Sequence, residues 1–163
     1  MNEKQGMSGF LTLRVSDRDG RLVYEQPCKN RIVTSGRRLV AQMFGGVSSG
    51  TPPSRVTHMA VGQDGTAPAD GDSGLRAQRG GRKPISEVTY EEFDEPVSGG
   101  SVRRIRARLT AEFDFGEANG NEPLREAGVF NAATGGVMYN RVTFQDVTKT
   151  DAFKLTLLWD IVF

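Results

Sequence analysis

Two stretches of the chain alternate apolar and polar residues. From Arg104 to Phe115, Ile105, Ala107, Leu109, Ala111, Phe113 and Phe115 fall on one side. Arg104, Arg106, Arg108, Thr110, Glu112 and Asp114 fall on the other. From Phe153 to Phe163, Phe153, Leu155, Leu157, Trp159, Ile161 and Phe163 share a side opposite Lys154, Thr156 and Asp160. A period of two puts one face of a strand on a core and the other in water, as in antiparallel sheets. Leu158 and Val162 interrupt the polar side of the second stretch, so that face is expected to be partly covered. Leu109, Phe113, Leu155, Leu157 and Trp159 are the predicted core.

Weaker patterns fill in the rest. "FLTLRV" and "RLVYE" flank "SDRDG", whose Asp19-Gly20 pair signals a hairpin. In "NRIVTSGRRLVAQMFGG", Thr34 or Ser35 can cap a helix that buries Leu39, Val40, Met43 and Phe44 and stops at Gly45-Gly46. "RVTHMAV" reads as a buried strand, and "ISEVTYEEF" as a further one. "REAGVF" and "VMYNRVTF" are two apolar runs joined by "NAATGG", where Asn131, Thr134 and two glycines suit a turn. Between Gln63 and Lys83 lies a long polar loop rich in glycine. The fold predicted is mainly β: an antiparallel sandwich or flattened barrel of about eight strands with one short packed helix. Residues 10–163 form one domain in this reading, and 1–9 a flexible tail. The tail and the 63–83 loop are both expected to be ordered by neighbouring subunits, because neither has obvious means of burying itself.

Size and charge narrow the function. At 163 residues the chain can bury a core without staples. With 21 basic and 20 acidic residues it has no global field to draw it to nucleic acid or membrane. One cysteine, Cys28, excludes an internal disulfide framework. "MNEKQGMSGF" lacks the pattern of a signal peptide, and no apolar run approaches membrane-spanning length.

Candidate chemistry is sparse. The single histidine, His58, has no second histidine to work with, so zinc sites of the usual kinds cannot be assembled. Asp64, Asp70 and Asp72 offer oxygen ligands but not the spacing of a calcium loop, and are read as solvated. Phosphate-cradling and nucleophile-elbow motifs are absent. Arg104, Arg106 and Arg108 could track a phosphate backbone, but no aromatic residue is expected to interleave on that face. If "ISEVTYEEF" and "VRRIRARLTAEF" form a hairpin, acids on the first are expected to sit opposite arginines on the second. These arginines, with Asp64, Asp70 and Asp72, are the candidate protein-docking positions. No catalytic residue, cofactor or metal is expected.

Four segments in order carry a resemblance. These are "KNRIVTSGRRLVAQMFGG", "VTHMAVGQDGTAPADGDSGLRAQRGGRKPI", "LREAGVFNAATGGVMYNRVTF" and "KTDAFKLTLLWDIVF". Together they resemble phage tail-associated structural proteins of the tail-fibre, collar-fibre and baseplate-related kind, including an E-x-G-[LV]-F hairpin. The resemblance implies a non-enzymatic virion component, assembled in the host cytoplasm and placed in the tail or neck region. Its partners would be other virion proteins and further copies of itself, without nucleic acid or membrane. Because the chain ends with the closing strand, an adaptor, collar or decoration role is expected in preference to a receptor-binding tip. The alternatives are a capsid-associated decoration protein and a carbohydrate- or surface-binding module. The sugar-binding alternative has few exposed aromatic residues to call on, since Trp159 lies on an apolar strand face.

Overall fold

The computed structural model describes residues 6–163. Residues 1–5, most of the expected tail, lie outside the described residues. Ten strands and one helix follow in the order β1 (Ser8–Ser16), β2 (Leu22–Lys29), β3 (Arg31–Ile32), α1 (Thr34–Gly45), β4 (His58–Gly62), β5 (Lys83–Pro84), β6 (Glu87–Val97), β7 (Gly100–Phe113), β8 (Leu124–Phe130), β9 (Met138–Val147) and β10 (Lys154–Val162). They form two five-stranded sheets, β2-β1-β10-β7-β6 and β3-β9-β8-β4-β5, with every pairing antiparallel. The mainly β, sandwich-like fold with a single short helix is as expected. The two strands beyond the expected eight, β3 and β5, are two-residue edges without room for a sequence pattern.

The alternating stretches became neighbours. Leu157 pairs with Ala111 and Trp159 with Leu109, while Leu13 and Leu11 face the same residues from β1. All five predicted core residues are buried, Trp159, Leu155 and Leu157 completely. The strand pattern also reaches past the core. Ile105 and Phe163 pair through their backbones on the apolar side yet stay half exposed. Phe115 lies beyond the end of β7, with the Arg18 guanidinium 4.7 Å from its ring centre. At the other end, β1 begins two residues before the expected boundary, where Ser8 and Gly9 pair with Val162 and Ile161.

The turns follow local chemistry. Asp17 Oδ1 accepts the Asp19 and Arg21 N–H groups at 3.0 and 2.9 Å, and Gly20 takes φ 79°. "NAATGG" is a turn in which Asn131 Oδ1 accepts the Val137 N–H at 2.7 Å and Gly135 and Gly136 have positive φ.

The helix departs from expectation in two respects. Neither Thr34 nor Ser35 caps it. Val33 holds the N-cap position without a side-chain bond, and the Thr34 N–H instead donates to the backbone oxygen of Asp70 at 2.9 Å. Ser35 Oγ donates to Met138 O. Of the expected apolar stripe only Leu39 is buried, whereas Met43 and Phe44 are exposed. Gly36 sits against the backbone carbonyl of Tyr139, where a Cβ would overlap it. That close approach fixes α1 on β9.

Two substitutions test this packing by urea denaturation. Leu157→Ala should cost about 2–5 kcal/mol through the cavity it leaves. Gly36→Ala should cost about 1–3 kcal/mol despite the better helix propensity of alanine, because the helix must lift off β9.

Candidate functional site

The loop after β4 is where the chain's buried charge collects. Along β8, Glu126, Gly128 and Phe130 point to the outer face of the second sheet, across from Thr143, Arg141 and Met138 of β9. This face is not solvated. Leu75, from the loop, packs on Val33, Ala60, Phe130 and Met138 as a small second core. β4, β8 and β9 are therefore covered on both sides, which accounts for their nearly continuous burial.

At the centre of the covered face Arg141 is fully buried. Its Nε donates to Glu126 Oε2 at 2.8 Å, and one terminal nitrogen donates to Thr66 O and Asp72 Oδ2 at 2.9 and 3.1 Å. The other donates to Asp64 Oδ1 at 3.2 Å. Glu126, also fully buried, accepts the backbone N–H groups of Arg76 and Ala77 at 3.2 and 2.8 Å. A buried charge is tolerated only when paired and hydrogen-bonded, and here each partner belongs to β8 or to the loop. The loop is thus a strap tied from within its own chain. This corrects the expectation that only a neighbouring subunit would order it.

Further ties run the length of the strap. Asp70 pairs with Arg31 at 2.8 Å, and Gly62 lies so close to Ala77 O and Glu126 Oε1 that a Cβ would meet each at 2.5 Å. Near the strap's end, the Arg82 guanidinium stacks 3.6 Å from the Phe130 ring centre and donates to Ala132 O and Gly135 O of the turn.

The expected docking residues divide accordingly. Asp72 is not a solvated position, because it turns inward onto Arg141, whereas Asp64 also bonds Arg141 but keeps part of its carboxylate in water. Asp70 stays half exposed against Arg31. All three carboxyls lie below the usual carboxylate range. The Thr66 N–H does this for Asp64, and Arg31 for Asp70. For Asp72, burial pushes the other way but is outweighed by the Ala69 N–H, Arg76 and Arg141. Neither Glu126 nor Arg141 was singled out from the sequence. The available signal was Arg141, a lone charge inside the apolar run "VMYNRVTF", where an unpaired charge is not tolerated; Glu126, beside Arg125 at the head of its run, gave none.

On the outer face of the first sheet, Arg104, Arg106 and Arg108 are all paired. Arg108 grips Asp160 with two bonds of 2.6 and 2.7 Å. Arg106 reaches Glu91, and Arg104 reaches Glu95, each at 2.8 Å. Pairing with an acid of β6 is as expected for Arg106; Arg104 meets Glu95, beyond the expected segment, and Arg108 turns instead to Asp160 of β10. The expectation that no aromatic residue lies on this face is corrected: Phe93 of β6, paired across from Arg104, lies with its ring centre 4.5 Å from the Arg106 guanidinium. His58 Nδ1 and Thr57 Oγ1 share a hydrogen bond of 2.8 Å within the strand region. Among the described residues no cluster of acids, histidine and cysteine is arranged to hold a metal ion, and no helix is long and apolar enough to cross a membrane.

No protein-family model, curated protein or solved structure matches this chain.

Arg141→Met should cost about 3–5 kcal/mol in chemical denaturation, since it leaves Glu126 buried without its cation. Adding Glu126→Gln should recover part of that loss; a strictly additive double variant would contradict the coupling. The depressed carboxyls also set a pH dependence. Their contribution is complete above the ordinary carboxylate value, about 3.9, and is lost as pH falls through their lower folded values. Hydrogen exchange at the Thr34 and Ala77 amides should accordingly show unchanged opening free energy from pH 7 to 5 and a fall below about pH 4.

Proposed function

We propose that this chain is a non-enzymatic structural component of a phage virion, a tail, baseplate, collar or fibre-attachment protein that assembles through repeated protein contacts. The observation that carries the reading is the division of labour among its polar groups. Buried charge is consumed in tying the strap, and the outer charges are matched along β6, β7 and β10, so that among the described residues these charged groups are taken up in structural pairs. What the surface offers is a long charged hairpin and an apolar groove, features suited to protein partners.

The resembling segments support the same reading from another side. Glu126, Gly128 and Phe130 are the Glu, Gly and Phe of the E-x-G-[LV]-F pattern, and each touches the strap or its anchors. The pattern encodes a way of building a covered sheet.

A capsid-decoration role is the nearest alternative. A sugar-binding role has less support. Of the five exposed aromatic side chains among the described residues, Phe44, Tyr90 and Phe163 line a groove whose one charged residue is Arg55, and Phe10 and Tyr24 lie away from it on β1 and β2.

Cryo-electron microscopy of native particles containing the chain is the direct test. Density on the tail, baseplate or collar supports the assignment. Density on the shell moves the protein to the capsid, and recovery only as free protein would sink the virion reading. Arg108→Ala should change the stability of the isolated chain by less than about 1 kcal/mol, because Arg106 remains 3.8 Å from Asp160. Its incorporation into particles should fall if this face docks.

A further inference from the structure

An apolar groove of about 390 Å³ opens between α1 and the inner face of β7 and β10. Leu39 and Leu109 lie in its floor, and Phe44, Tyr90 and Phe163 stand at its rim. No described residue covers them: Phe44 is 96% exposed, Tyr90 75% and Phe163 47%. At about 200 Å² per aromatic side chain these three present about 440 Å² of apolar surface. Half-exposed Met43 and Ile105 raise this to about 600 Å². Two such patches face to face bury about 1,200 Å², where specific protein interfaces begin.

We propose that this surface is a two-fold interface between two copies of the chain, in which Phe44 of each copy enters the groove of the other. A two-fold axis brings the same patch together from both sides, so the patch must contain both a projection and a matching recess. It does: Phe44 projects from the last turn of α1 immediately beside the groove it borders. A ring the size of benzene fits a cavity of about 150 Å³, well within the recess. Beyond Tyr90, the same face of the hairpin carries Arg103 paired with Glu92 and Asp94 at 3.1 and 3.3 Å. These supply the polar rim that surrounds an apolar interface core. The inference rests on this surface alone and holds or fails separately from the virion assignment.

Sedimentation velocity on the full chain tests it, from about 1 to about 100 µM. The expected result is a rise with concentration from 17.8 kDa to twice that mass. Phe44→Asp and, independently, Tyr90→Asp should each raise the dissociation constant about thirtyfold or more. Their circular dichroism and melting temperature at low concentration should match the unsubstituted chain, since both side chains are exposed. A chain that stays monomeric throughout this range would overturn the proposal, and would assign the groove to another ligand if it then bound an apolar dye. An oligomer that survives both substitutions would overturn it equally.

Discussion

A guanidinium taken wholly out of water must have its donors met by acceptors held in place, and Arg141 imposes that requirement on everything around it. Glu126 meets it from the adjacent strand; Asp64, Thr66 and Asp72 meet it from the loop. The loop cannot leave without stranding a buried charge, so a glycine-rich segment with little apolar content becomes a fixed third layer. The consequences extend outward. Once the strap is down, the Asp70 carbonyl meets the first helical N–H, and Arg82 reaches the turn between β8 and β9. The start of α1 and that turn are both held through the strap.

Room for this arrangement comes from missing side chains as much as from charges. Gly128 lies under Leu75, where a Cβ would come within 3.1 Å of the leucine, and Gly62 lies under the Ala77 carbonyl. A strap can lie flat on a sheet only where the pleat beneath it is bare. Glu126, Gly128 and Phe130, spaced by two on one strand, supply a charge, a gap and a ring to successive parts of the strap.

The two exposed faces differ in what they leave unsatisfied. Charges on the first sheet's outer face are neutralised in place, so this surface can be shed from water only if a partner matches its pattern of ion pairs; that favours specificity over raw affinity. The groove beside α1 leaves aromatic and aliphatic area in water, where burial is favourable with any apolar surface of the right shape. Affinity should therefore reside in the groove, and selectivity in the hairpin.

By itself the sequence determined the sheets' inner faces, the hairpin turns and the pairing of Arg106 with an acid of β6. Each of these depends on spacing or on residues close along the chain: alternation by two, Asp19-Gly20, and acids carried by the neighbouring strand of a short hairpin. Tertiary structure alone decided which carboxylates meet Arg141, 69 and 77 residues before it and 15 residues before it. It likewise decided that Met43 and Phe44, on a helix stripe that looks like core, would face water. Periodicity states that a side chain lies on a face; it carries no information about whether another element arrives to cover that face. For the strap such an element arrived, drawn by a buried charge. For the groove beside α1, none did among the described residues.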